Sequence, residues 1–252
     1  MLPTSHISTR NHILSSLSDE TLDRSLPLIE KVEIPLGETL FRSYEPIPYI
    51  YFPDTAMSSI VAVAETGHAT EIGIVGWEGA AGLDALLGAD SSPHEVMCQM
   101  AGSAHRMPIV EARQEFGKAG DFQTLLLQFY RTLVVQISQT TLCNRIHSVD
   151  QRLCRWLLMC QDRSAADTLP LTQEFLAVML GVTRVSVTHA ASELQKDSYI
   201  SYSRGKIDIL DRSALESLSC ECYQVVKDEY DAYLSASRNN NKRGHSPTSR
   251  TA

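Results

Sequence analysis

At 252 residues the chain is longer than a typical domain of ~100–200 residues and has room for two lobes with real cores. A hydrophobic fraction of 43%, a charged fraction of 21% and the lack of any apolar run near the ~18 residues of a membrane helix exclude a disordered chain and a helical membrane span. A net charge of −8 excludes bulk electrostatic attraction to nucleic acid, so any DNA contact has to use a local basic patch.

The opening residues MLPTSHISTRNHILSSLSDE lack the basic start and unbroken apolar block of a secretory signal, which makes the cytoplasm the expected compartment. Six cysteines are present, Cys98, Cys143, Cys154, Cys160, Cys220 and Cys222, and there they are expected to be reduced. No CxxC pair occurs and no His follows at finger spacing, so neither a zinc site nor another metal or cofactor is expected. Cys220 and Cys222 fall in a helical pattern, where residues two apart diverge. All six read as buried structural thiols; a redox sensor at Cys98 or Cys143 is the open alternative.

In chain order, NHILSSLSDETLDRSLPLIE has helical character. From about Val32 to Pro108 the texture turns short and β-branched. KVEIPLGETLF reads as strand, turn at Gly37, strand. YIYFPDTAMSSIVAVAETGHATEIGIVG alternates, with turn signals at Pro53-Asp54 and Thr66-Gly67. HEVMCQMAGSAHRMP adds two strands around Gly102. Strands at this spacing predict an all-β roll or barrel.

A helical region follows, with no Gly or Pro between Gly120 and Pro170. Phe122, Leu126, Phe129, Leu133 and Ile137 form one apolar stripe. Leu125, Tyr130, Val134 and Leu142 widen it to a second face. One face can cover the β lobe. The other calls for a partner helix, read as the same helix of a second copy; a single buried core helix is the alternative. Ser148-x-x-Gln151 is a capping box. The stripe changes phase there, with Ile146, Val149, Leu153, Trp156 and Leu157 starting a new register, so Ser148 and Gln151 mark a hinge.

The third region begins near Leu169. LTQEFLAVMLGVTRVSVTHAASELQ reads as two short helices broken at Gly181, with Thr172 and Thr183 as caps. Ala177, Gly181 and Val187 stand at the small, turn and buried places of a helix-turn-helix. A hairpin from Ile200 to Ile209, turning at Arg204-Gly205, makes it a winged helix. Ser213-x-x-Glu216 reads as another capping box, opening a last helix to about Leu234. The polar RNNNKRGHSPTSRTA is expected to be disordered. The predicted units are a roll over 11–120, a dimerisation helix over 121–147, a winged-helix domain over 148–236 and a tail over 237–252.

The second short helix carries a set of residues suited to DNA. Arg184 lies at the end that enters a major groove first, and an arginine pairs with the two acceptors of a guanine edge. Thr172, Gln173, Thr183 and Ser186 can donate to phosphates beside two helix N-termini. Ser203, Arg204 and Lys206 at the wing tip can reach the flanking backbone. From Arg184 to Lys206 four basic residues face two acidic ones, so the charge is local.

This order of elements resembles the Crp/Fnr family of bacterial transcription regulators, from roughly Asn11 to Leu234 and most sharply in TQEFLAVMLGVTRVSVTHAASEL. The resemblance implies an α+β fold: an N-terminal, jelly-roll-like β-roll of the cyclic-nucleotide-binding kind, a long dimerisation helix and a C-terminal winged helix-turn-helix. It implies a non-enzymatic regulator that binds double-stranded DNA as a homodimer on a palindromic site and works with RNA polymerase, away from membranes. In the family the arginine matching Arg184 contacts a guanine. Val185 stands where a Glu often follows it, and His189 where a second Arg is common, so the resemblance does not set the operator sequence.

In cyclic-nucleotide-binding domains a glycine turn presents amides to the phosphate, a Glu holds the ribose and an Arg neutralises the phosphate. GIVGWEGAAGLDALLG carries Gly76, Glu78, Gly79 and Gly82, but His94 falls near the place of the Arg, which this chain lacks until Arg106. These five residues are the candidate effector pocket of a degenerate sensor. The other reading is that the glycines serve only tight turns. The effector itself is not legible. No nucleophile–base pair or P-loop is present, and GIVGWEGAAG breaks the G-x-G-x-x-G spacing, so an enzyme is not expected. A winged helix that binds protein rather than DNA is the remaining alternative.

Overall fold

The computed structural model describes residues 7–164 and 168–243. Two short helices, α1 (His12–Ser15) and α2 (Asp19–Ser25), precede a two-layered roll. One layer holds β1 (Glu30–Ile34), β7 (Gly102–Pro108) and β3 (Tyr49–Pro53), in that order. The other runs β2 (Thr39–Phe41), β6 (His94–Met100), β4 (Met57–Val63) and β5 (Ala69–Val75). All pairings are antiparallel. The strands read as adjacent in the sequence change layers: β1 pairs with β7 while β2 pairs with β6, so the Gly37 turn is a crossing between sheets. Residues of β3 are buried on both sides, and Ile50 and Phe52 are fully enclosed.

After α3 (Ile109–Phe116) comes α4 (Asp121–Ile146), a helix of 26 residues and thus about 39 Å long. Phe122, Leu126, Phe129 and Leu133 of the predicted stripe are buried in the core it shares with the roll. Gln136 extends the contact by hydrogen bonding instead. Its Oε1 accepts from Ile74 N–H at 2.6 Å and its Nε2 donates to Ile74 C=O at 3.1 Å, satisfying one residue of β5. The helix ends at His147, and α5 (Val149–Arg163) starts behind the Ser148–Gln151 capping box, both halves of which are formed.

The C-terminal lobe contains β8 (Thr168–Leu169), α6 (Gln173–Leu180), α7 (Arg184–Lys196), β9 (Ile200–Ser203), β10 (Lys206–Ile209), α8 (Arg212–Leu218) and α9 (Glu221–Arg243). β8 joins the wing hairpin in a three-stranded sheet ordered β8-β10-β9. Two expectations need correction here. The Ser213–Glu216 pair is not a capping box: Asp211 caps α8 by accepting from Ala214 N–H at 2.9 Å, and Glu216 is held by Arg212 at 2.9 Å. The region is also two helices, separated at Ser219 and Cys220, and α9 runs past Leu234 to Arg243 because no Gly or Pro interrupts it before Gly244. The rest of the tail, 244–252, lies outside the described residues.

α9 lies along α4, with Arg131 and Glu229 paired at 2.8 Å and Gln136 Nε2 donating to the Tyr230 hydroxyl at 2.6 Å. α9 thus covers a side of α4 that carries Arg131 and Gln136, whereas of the predicted second face only Leu125 is buried. Tyr130, Val134 and Leu142 of that face remain exposed at 37, 42 and 43%, and Leu127 beside them at 42%. The two lobes share one core, which runs from Ile13 and Phe52 through Phe129 to Trp156, Leu176 and Tyr230. Buried polar contacts cross the same boundary: Arg163 Nε donates to Glu78 Oε1 at 2.7 Å, and Trp156 Nε1 to Glu71 Oε1 at 2.6 Å.

Candidate nucleic-acid interface

Local chemistry sets the shape of the helix-turn-helix. The Thr172 hydroxyl accepts from Phe175 N–H at 3.1 Å and that of Thr183 from Ser186 N–H at 3.2 Å, so each helix starts where its cap stands. Gly181 sits at φ 60° and ψ 41°, a left-handed conformation that glycine adopts without strain. The two helices are bent by 109°, within the ~90–120° of a helix-turn-helix. Val187, Ala190, Ala191 and Leu194 are buried, which fixes the opposite side of α7 outward. The Thr188 hydroxyl donates to Gln173 Oε1 at 2.8 Å and ties the two helices together across their exposed edge.

The wing turn places Arg204 at φ 51° and Gly205 at φ 74°, the pattern of a type I′ hairpin. Tyr202 N–H donates to Gln195 Oε1 at 2.8 Å, which holds the wing strand against α7. Between wing and helices opens a cleft of about 520 Å³ lined by Thr172, Gln173, Glu174, Arg184, Tyr202, Arg204 and Gly205. Of the residues singled out by sequence, Thr172, Gln173, Arg184 and Arg204 meet here. Ser203 and Lys206 are exposed on the same hairpin, and Thr183 and His189 are exposed on α7. Ser186 is half-buried with its hydroxyl 3.0 Å from that of Thr183. Among the described residues Arg184, Arg204 and Lys206 form no ion pair, whereas Lys196 is spent on Glu193 at 3.8 Å.

Tyr202 and Glu174 also line the cleft and were not singled out. Tyr202 lies within the predicted wing hairpin, where nothing in the sequence sets it apart. Partial burial raises its phenol pKa, with the nearby Arg184 charge opposing the shift.

The candidate effector residues are divided between two places. Gly82 and His94 line a cavity of about 130 Å³ between the roll and α4, together with Asp84, Tyr130 and Val134. Gly79 instead packs against Phe129: a Cβ there would lie 2.0 Å from the ring. Gly76 N–H donates to Glu78 Oε1 at 3.2 Å, and the buried Glu78 is paired with Arg163 of α5. Arg163 stacks 4.5 Å from the Tyr230 ring. Glu78 thus has its own guanidinium partner, from the other lobe rather than from the adjoining strand. The carboxylate beside it holds its pKa above the usual value despite burial, which acts in the opposite direction.

The fold and this surface define a winged helix-turn-helix domain docked on a β-roll. Residues 151–218 match the family model described as a Crp-like helix-turn-helix domain. Three solved structures share the fold over nearly their whole length. FixK2 from Bradyrhizobium japonicum is 16% identical, with a TM-score of 0.66 over 76% of this chain and 98% of its own. A putative transcriptional regulator of the Crp/Fnr family from Eubacterium rectale is 15% identical, with a TM-score of 0.65 over 82% and 96%. CLP, a c-di-GMP responsive global regulator of Xanthomonas campestris, is 16% identical, with a TM-score of 0.64 over 76% and 99%. No curated protein sequence matches the chain significantly. The chain therefore carries a Crp-like helix-turn-helix domain on the fold of the Crp/Fnr transcription regulators. No single helix among the described residues is long and apolar enough to cross a membrane.

Proposed function

We infer that the protein is a transcription regulator that binds DNA as a homodimer. The observation that carries this reading is the cleft between helices and wing, where Arg184 and Arg204 stand exposed and unpaired beside two capped helix N-termini. Arg184 reads a guanine edge, while Thr172, Thr183, Ser203, Arg204 and Lys206 hold phosphates. Val185, 78% exposed, can meet only a thymine methyl. Leu127, Tyr130, Val134, Ile137 and Thr141 repeat at alternating steps of three and four, the seam of a two-helix coiled coil. Pairing along it presents two copies of α7 to a palindromic site in successive major grooves ~34 Å apart.

The roll acts as a degenerate sensor. Its cavity of about 130 Å³ is small beside the ~300 Å³ or more of a ligand pocket, and Asp84 in the lining repels a phosphate. RNA polymerase is the expected downstream partner and the cytoplasm the expected compartment.

The test is a salt-titrated binding series on a site selected from random duplexes and on scrambled DNA. Arg184→Ala should cost about 1–3 kcal/mol and relax one base position, whereas Lys206→Ala should weaken all sequences about equally. Equal losses on both duplexes for Arg184→Ala refute base reading.

A further inference from the structure

Where α4 ends and α9 begins, four ligand-type side chains converge. The sulfurs of Cys143, Cys220 and Cys222 and a ring nitrogen of His147 all lie within 4.8 Å of one another. Cys143 and Cys220 are 3.4 Å apart at sulfur, and Cys222 Sγ is 3.7 Å from His147 Nδ1. Tetrahedral zinc with its usual bond lengths separates its ligand atoms by about 3.5–3.8 Å. Two sulfurs 3.4 Å apart are well beyond the ~2.05 Å of a disulfide.

We propose that Cys143, His147, Cys220 and Cys222 form a structural zinc site joining the end of α4 to the start of α9. Three further observations support it. The other ring nitrogen of His147 lies 3.2 Å from Glu221 Oε2, the carboxylate partner that fixes the tautomer of a metal-binding histidine. The three cysteines are buried in a small cluster separate from the main core, so packing the core does not explain them. Arg152 and Arg155, 8 and 5% exposed, lie within Coulombic reach of the cluster, form no ion pair among the described residues and leave both Nε atoms without partners. Three thiolates, one neutral imidazole and Zn²⁺ carry one net negative charge, which offsets that buried positive charge. Binding displaces the three thiol protons to solvent.

Sequence reading missed the site because its pairs have no finger spacing. Cys143 and His147 face together one helical turn apart. Cys220 stands in the turn before α9 rather than within it, so it does not diverge from Cys222 as two helical residues would.

The experiment is metal analysis of the full-length protein purified under reducing conditions without added metal, followed by chelation and titration with Zn²⁺ or Co²⁺ alone. The expected result is about one zinc per chain, and a cobalt form with the intense bands of tetrahedral thiolate coordination. Cys222→Ser and His147→Gln should lose both while keeping the far-ultraviolet circular dichroism of the parent. Glu221→Gln should retain the cobalt spectrum and weaken zinc affinity about 10–100-fold. Protein purified without zinc that also gives no tetrahedral cobalt spectrum overturns the proposal. So does a Cys143–Cys220 disulfide formed in its place, or iron or copper as the purified occupant.

Discussion

Glu71 offers a direct measurement of the boundary between the lobes. It lies on β5 and is 4% exposed; Trp156 Nε1 donates to one oxygen at 2.6 Å and the Ser59 hydroxyl lies 2.6 Å from the other. Ser59 also lies 2.7 Å from Gln99 Oε1 and has a single proton for two acceptors. A protonated Glu71 resolves the shortage by donating to Ser59, which then donates to Gln99. Burial pushes this carboxyl up to about 7, against hydrogen bonds and Arg155 and Arg163, which favour the charged form. A folded value above the unfolded one means that the native state binds the extra proton. Its stabilisation is therefore complete at acid pH below the unfolded value and lost as pH rises through about 7. Between pH 5 and 8 the loss comes to about 2–3 kcal/mol. Urea unfolding of wild type and Glu71→Gln across that interval isolates the effect, because the other titrating groups are common to both. The wild type should lose about 2–3 kcal/mol more than the variant. Parallel curves would show that Glu71 is ionised throughout and that the hydrogen-bond argument is wrong.

Three other outcomes follow from the same geometry. Gly79→Ala drives a Cβ into the enclosed Phe129 ring, so it should lower stability by about 1–3 kcal/mol or more in chemical denaturation. Arg163→Met strips a buried carboxylate of its partner and should cost about 3–5 kcal/mol; the penalty should shrink when Glu78→Gln is added. Val134→Glu places a charge on the exposed side of α4 and, on the proposed pairing of two copies there, should shift the sedimenting species from dimer to monomer without changing the circular dichroism. A variant that remains dimeric would move the interface elsewhere.

What was legible in the sequence was written locally. Ser148 and Gln151 declare the α4–α5 break because both members of the box lie within one turn. Thr172, Gly181 and Thr183 fix the helix-turn-helix by capping and by one left-handed residue. One local signal misled: Ser213-x-x-Glu216 has the spacing of a capping box, but Asp211 makes the cap and Glu216 is taken up by Arg212. What escaped was long-range. Arg163 answers Glu78 across 85 positions, and Tyr230 reaches Gln136 across 94. Periodicity along α4 showed an apolar second face but not that α9, from the same chain, packs beside it on Arg131 and Gln136.

The continuous interior that joins roll and winged helix has a practical corollary. Regulators whose sensing and reading halves meet only through a tether can be cut and recombined. Here a cut after His147 would bare Phe129 and Ile74 on one fragment and Trp156, Leu176 and Tyr230 on the other, and would orphan both Glu78 and Arg163. Grafting this reading head onto a foreign sensor therefore requires transplanting the roll's facing wall as well, and limited proteolysis should yield no stable half-molecules.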